Sequence, residues 1–464
     1  MLGQCQSLSG TVEQLHLQGG LQRLDLVTDR AVRDAEFLCR LGQRTVTGGR
    51  LERAQRVQRW QSLVHRLDPD VRIFHINGAN NINCFPFAAL QHFIQRRCRL
   101  SRHRTFWDGV YMAWDKAKLD ELRGKYGESH GGELFNPQFR RVADKIFTES
   151  GTRLAPYSGI PTFLTAPYVE IDNDKPDFGD LQVAMIGMPM DLGVTNRNGS
   201  RFGPRALRTI ERIGPYNHVL DCAPVHELRV ADIGDVSFQS RYRLELCHED
   251  IERRLHQIVD AGVLPLSVGG DHSITHPILK AVGKNRPVGM IHIDAHCDTG
   301  GAFDMTKFHH GGPFRNAVLD GVLDPTRTIQ IGIRGPAEYL WEFSYESGMT
   351  VIHAEEVTGL GMPAIIQRAK EIVGDGPTYL SFDIDSLDPA FAPGTGTPEV
   401  GGLTTREVLE LIRGLKGINI VGGDVVEVAP QYDATTNTAH AGAQVLFEIL
   451  SLMVFSPAIT GSNA

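Results

Sequence analysis

From residue 181 to residue 464 the chain repeats one pattern: short apolar runs, then longer stretches whose apolar residues recur every three to four positions. Eight runs read as strands, at 181–189, 228–233, 263–268, 288–294, 328–333, 349–353, 378–384 and 418–426. Helical patterns fill most of the intervals, among them 243–260, 363–374, 405–415 and 438–454. This alternation predicts an α/β fold: three α/β/α layers around a central parallel sheet of about eight strands. Ligands of such sheets sit beyond the carboxyl ends of the strands.

Ahead of this body the pattern changes. Residues 151–180 are rich in Pro, Gly and aromatic residues, and read as an arm that packs on a neighbour or lines a site mouth. Residues 134–150 read as an amphipathic helix after Asn136-Pro137, and 114–126 carry a helical charge pattern. Residues 112–180 therefore form one expected unit, an N-terminal helical arm. Residues 1–115 contain sixteen arginines, no lysine and four of the seven cysteines, with no lasting helical or strand period. The expectation for 1–111 is an extension that is disordered or outside the native protein, with translation starting at Met112. The functional alternative is a basic arm that binds a partner.

Composition narrows the class. With 464 residues, 41% hydrophobic and 22% charged, the chain is expected to be a soluble globular protein with a large core. No apolar run approaches the roughly 18 residues that span a bilayer. Residues 1–30 lack a basic start followed by an apolar stretch, the mark of a secretory signal. Seven scattered cysteines with no CxxC pair suggest reduced thiols in a cytoplasm. A net charge of -8 argues against nucleic acid.

The candidate chemistry lies in two runs, His292-Ile293-Asp294-Ala295-His296-Cys297-Asp298 and Ser381-Phe382-Asp383-Ile384-Asp385. Polar residues take every second position after an apolar lead, so Asp294, His296 and Asp298 would share one face, as would Asp383 and Asp385. Neither run contains a Lys or Arg partner, so carboxylates packed this closely call for cations. A mixed oxygen and nitrogen set with shared carboxylates suits two divalent ions that activate water.

These runs, together with Ser158-Gly159-Ile160-Pro161-Thr162-Phe163, Asn198-Gly199-Ser200-Arg201-Phe202-Gly203-Pro204-Arg205, Gly269-Gly270-Asp271-His272-Ser273, His310-Gly311-Gly312-Pro313-Phe314 and Asp424-Val425-Val426-Glu427-Val428, resemble the ureohydrolase family of arginases, agmatinases and guanidino-acid hydrolases over residues 155–456. The resemblance implies that 181–464 is a catalytic domain with two metals. One would be held by His272, Asp294, Asp298 and Asp383, the other by His296, Asp294, Asp383 and Asp385. The family usually uses Mn2+, and the ligand types also accept Ni2+. By the same resemblance Asp298 passes a proton to the leaving amine, His310 shuttles protons with solvent, and Glu427 pairs with the guanidinium. Trimers or hexamers are implied as well.

Plainer roles are expected nearby. Asp271 reads as a cap or orienting residue, His276 as a satisfied helix-start histidine, and His309 as a surface or loop residue. Asp388 reads as a turn residue, and Cys297 as a core thiol facing away from the metals. The substrate is less clearly written. The stretch 299–308 lacks the Asn/Ser loop of arginase, and Asn196-Arg197-Asn198-Gly199 stands where agmatinases commonly have Tyr-Arg-Pro-Gly. The stretch 213–220 looks like that of guanidine and metformin (dimethylbiguanide) hydrolases, with Ni2+ as the matching metal. The main expectation is thus C–N cleavage of a small guanidine compound to urea or guanylurea plus amine. Guanidinobutyrase, guanidinopropionase or agmatinase activity is the alternative. A non-catalytic partner of a homologous subunit and a single-zinc deacetylase are disfavoured by the complete ligand set.

Overall fold

The computed structural model describes residues 72–77 and 81–86 as backbone, and residues 116–128, 133–146 and 157–461 in full. The expectation for residues 1–111 lies outside the described residues, except for two strands, Arg72–Asn77 and Asn81–Pro86, which pair antiparallel. The chain divides into two compact units, Met1–His130 and Gly131–Ala464. The first contains the helix Lys116–Tyr126, with no buried residue and ion pairs at i,i+3 spacing such as Lys118–Glu121.

The second unit begins with the helix Pro137–Ile146. The Asn136 side chain accepts the amide of Gln138, and Pro137 fills the first helical position, where no amide is needed. Arg141 and Lys145 tie this helix to Asp221 and Glu227 of the body. The expected arm of 112–180 thus has its two helices in different units. Its last part packs onto its own chain: Phe163 is fully buried, and its amide donates to Asp232.

Eight strands form the central sheet: β1 (Val183–Met188), β2 (Val230–Asp235), β3 (Leu264–Gly269), β4 (Val288–Ile293), β5 (Leu323–Ile333), β6 (Thr350–His353), β7 (Thr378–Asp383) and β8 (Ile420–Val426). The order is β2-β1-β3-β8-β7-β4-β5-β6, and every pairing is parallel. Successive strand residues enter two different cores. Val183 and Met185 join the core that holds helices Thr405–Gly414 and Asn437–Met453. Ala184 and Ile186 join the one that holds helices Leu244–Asp260 and Thr275–Val282. Burial on both faces is why the strands read as unbroken apolar runs.

One row breaks that rule. Register places Ser267, Asp424, Ser381, His292 and Gln330 side by side across β3, β8, β7, β4 and β5. All five are fully buried. This polar row lies close to the carboxyl edge of the sheet. The four central strands β3-β8-β7-β4 end at that edge, next to the residues named as candidates above.

Candidate metal centre and active site

His272 opens a one-turn 3-10 helix, His272–Ile274, just after β3. Asp271 caps that turn, accepting the amides of Ser273 and Gly193 at 2.9 and 2.8 Å, as expected of an orienting residue. Gly270 permits the approach: a Cβ there would stand 1.7 Å from the Met190 carbonyl oxygen. His272 Nε2 lies 2.8 Å from Ser381 Oγ, whose hydroxyl donates to Asp424 at 2.7 Å. Ser381 therefore accepts from Nε2–H, which leaves Nδ1 as the nitrogen open to a proton or a cation.

That nitrogen meets only carboxylates. Nδ1 stands 2.9 Å from Asp298 Oδ2, 3.1 Å from Asp294 Oδ2 and 3.2 Å from Asp383 Oδ2, and it is buried with no hydrogen-bond partner. Bonds of roughly 2.1 Å set at right angles around one ion put neighbouring donors about 3 Å apart. The spacing fits a shared divalent cation, so His272, Asp294, Asp298 and Asp383 come together as one candidate set.

The second set gathers beside the first. His296 Nδ1 lies 3.2 Å from Asp385 Oδ2 and 3.5 Å from Asp294 Oδ1. Asp294, His296 and Asp385 form a group able to hold an ion. Asp294 thus turns one oxygen to each histidine. Strand alternation alone does not produce this convergence. β4 ends at Ile293 and β7 at Asp383, and turns carry the remaining ligands inward. Asp298 does so with a left-handed backbone (φ 51°), and Asp385 lies in a turn capped by Asp383, which accepts its amide at 2.8 Å.

The electrostatics match a cation site. Burial raises the Asp383 pKa well above the usual carboxylate range, and repulsion from Asp385 and Asp294 adds to it. Burial opposes charge on His272, yet Asp294, Asp298 and Asp383 hold its pKa well above the ordinary value. His296 is raised in the same way, against burial, chiefly by Asp385 and Asp294. Arg334, also buried, spends its hydrogen bonds on backbone carbonyls of Gly332, Asp385, Ser386, Leu387 and Glu399. It clamps the Asp383–Asp385 turn without pairing with a ligand carboxylate.

His310 and Glu427 form the neighbouring pair, Nδ1 to Oε1 at 2.8 Å. His310 Nε2 meets the Thr195 hydroxyl at 2.7 Å and accepts the Thr195 amide at 3.1 Å. Burial resists charge on His310, but Glu427, Asp298 and Asp271 push its pKa up to about 9. Glu427 also has a left-handed backbone (φ 62°), and its Oε1 accepts the His272 amide at 2.9 Å. Its Oε2 is buried and has no partner. A buried carboxylate oxygen without a donor is costly, and a guanidinium N–H would satisfy it.

The plainer expectations can be placed as well. His276 bonds Asp320 at 2.8 Å at the start of its helix. Asp388 accepts three turn amides, those of Ala390, Gly401 and Gly402. Cys297 is buried, and burial pushes its thiol pKa up to about 12. His309 is in the loop but not on the surface: it is buried, with Nε2 2.6 Å from the Gly301 carbonyl oxygen, and braces the loop that carries His310. Sequence reasoning missed Thr195, His292, Gln330, Ser381, Arg334, Asp424 and Thr397, whose hydroxyl donates to Asp385 Oδ2 at 3.1 Å. For His292 and Ser381 a signal existed, because they continue the every-second-position pattern of Asp294 and Asp383.

Residues 181–451 match the arginase family. Guanidinopropionase of Pseudomonas aeruginosa is 47% identical over 306 residues, which are 65% of this chain and 94% of that protein. The mitochondrial agmatinase of Gallus gallus is 47% identical over 281 residues, 59% of this chain and 81% of that protein. Among solved structures, proclavaminate amidino hydrolase from Streptomyces clavuligerus superposes with a TM-score of 0.61 at 35% identity, over 65% of this chain and all of that one. This chain belongs to the arginase family, as a hydrolase of guanidino C–N bonds.

Proposed function

We propose that the protein hydrolyses a small ω-guanidino acid such as 3-guanidinopropionate, giving urea and the free amino acid. The observation that carries the guanidine part is Glu427 Oε2, buried and lacking a donor beside two cation sets. The acid part is supported by the relatives named for guanidinopropionate and proclavaminate. Agmatine is the second reading, favoured by the agmatinase relative. The dimethylbiguanide expectation has weaker support. The stretch 213–220 that prompted it packs on the last long helix, with Asn217 bonded to Glu448 and Gly214 against Phe447.

In this reading His272, Asp294, Asp298 and Asp383 would hold one divalent ion, and His296, Asp294, Asp383 and Asp385 the other. Manganese is the proposed metal, with nickel as the alternative. Two divalent ions held there would lower the pKa of water so that it is nucleophilic near neutral pH. Glu427 accepts the guanidinium N–H groups and fixes the orientation of the guanidinium carbon. Asp298 delivers a proton to the departing amine, and His310, between Glu427 and Thr195, exchanges protons with solvent. A trimer or hexamer is the proposed assembly.

Release of urea from 3-guanidinopropionate, 4-guanidinobutyrate, agmatine and L-arginine, and of guanylurea and dimethylamine from dimethylbiguanide, with Mn2+ and then Ni2+, tests the proposal. The guanidino acids are expected to give the highest kcat/KM. A preference for dimethylbiguanide would reverse the substrate reading, and neither urea nor guanylurea from any compound would remove the enzymatic one.

A further inference from the structure

The polar row beneath the metal centre contains a hydrogen-bond chain whose direction can be worked out. Gln330 Nε2 lies 2.6 Å from the Cys297 carbonyl oxygen. A carbonyl oxygen only accepts, so the amide end facing it is the NH2 group, and the orientation of Gln330 is fixed. The same nitrogen stands 3.0 Å from His292 Nδ1, and its second hydrogen is donated there. Nδ1 is then an acceptor, and the ring's single proton sits on Nε2, 2.8 Å from Asp294 Oδ2. The chain runs from Gln330 through His292 to Asp294, with every bond donated toward the carboxylate.

We propose that His292 and Gln330 are positioning residues for the inner ion, the one facing His272, and that His292 is not itself a metal ligand. This rests on the two-ion reading given above. Donor atoms of His272, His292 and Asp294 do lie within 4.8 Å of one another. Yet both ring nitrogens of His292 are already engaged, and no lone pair remains for a cation. The ring is held in place by Phe314, with centroids 4.4 Å apart, and is fully buried.

The effect falls on the orientation of Asp294. Its Oδ2 receives the proton of His292 Nε2, and its Oδ1 receives the His296 amide at 2.6 Å. Each oxygen therefore has one N–H donor, and its free lone pair is left toward His272 on one side and His296 on the other. Rotating the carboxylate breaks both donors at once. Gln330 carries a cost for this: its Oε1 is buried without a donor. A glutamine kept fully buried with half its amide unsatisfied is explained by the donor end it supplies to His292.

The test is calorimetric titration of metal-free protein with Mn2+, carried out in an Asp385→Ala background that leaves only the inner set intact. His292→Phe keeps the ring volume, and Gln330→Met keeps the side-chain length; both remove the donors. Each is expected to weaken inner-ion binding by roughly 10-fold or more. In the Asp385-intact protein the outer ion should change by less than about twofold, since the His296 amide still holds Oδ1. Gln330→Met also loses the bond to the Cys297 carbonyl, so the part of its effect that runs through His292 is read from the double variant, whose loss should be smaller than the product of the two single losses. Unchanged affinity in folded single variants overturns the proposal. So does a double variant whose loss is the product of the two single losses. If His292→Phe does not fold, Gln330→Met decides alone, because it leaves the imidazole in place. Failure of the two-ion reading would look different: the parent protein itself would bind no Mn2+.

Discussion

His310 Nδ1 and Glu427 Oε1 lie 2.8 Å apart in a buried pair, and the carboxylate keeps the imidazole pKa at about 9. A folded-state value raised above the unfolded value of about 6.5 adds stability that is complete below pH 6.5 and is lost as pH rises through about 9. Metal-free protein should therefore lose thermal stability between pH 6.5 and 9. The loss should be smaller in Glu427→Gln, which removes the charge that raises His310. Tm measured across that range in both proteins checks this. Equal slopes would refute the pairing.

Metal uptake should release protons. His272, His296 and Asp383 all have pKa values raised well above their ordinary range, so the metal-free cluster holds protons that ligands must give up. Mn2+ affinity is expected to rise with pH between about 6 and 8. Calorimetry in two buffers of different ionisation enthalpy would measure the release, and buffer-independent heats would contradict it.

Asp294 and Asp385 should differ in what their loss removes. Asp294 faces both histidines, whereas Asp385 faces His296. Asp294→Ala is expected to bind neither ion tightly, and Asp385→Ala to retain about one per chain. Elemental analysis after dialysis separates the two. Both variants should lose more than about 100-fold in kcat, since an interaction used by reacting groups is removed.

Thr195→Val removes the hydroxyl at 2.7 Å from His310 Nε2 but keeps the backbone amide. With His310 charged at neutral pH, a hydrogen bond to it contributes about 1.5–3 kcal/mol, so kcat/KM should fall roughly 10- to 150-fold, with metal content unchanged. Loss of metal in this variant would show that Thr195 supports the fold of the site rather than His310.

Much of the fold was readable because a strand buried on both faces leaves an unbroken apolar run. All eight regions are strands, though β5 begins at Leu323, five residues before the expected start at 328. The ligand runs were readable because alternate polar residues in an apolar setting are rare without a purpose. The polar row was not. Ser267, His292, Gln330, Ser381 and Asp424 are each one polar residue in an apolar strand. Only register makes them neighbours, and register depends on a strand order that jumps from β3 to β8. The unpartnered oxygen of Glu427 was hidden for a similar reason, because the groups that occupy its other oxygen, His310 and the His272 amide, come from distant loops.

That jump also sets when the site can exist. β8 is the last strand in the chain but sits near the middle of the sheet, joining the half that carries His272 to the half that carries Asp294 and Asp383. During synthesis every proposed ligand has left the ribosome once residue 385 is out, yet the two halves have no strand between them until residues 420–426 follow. Metal affinity is therefore a property of the finished sheet, gained in a late, long-range step. A chain cut before β8 would keep all six ligands and still be unable to bring them together.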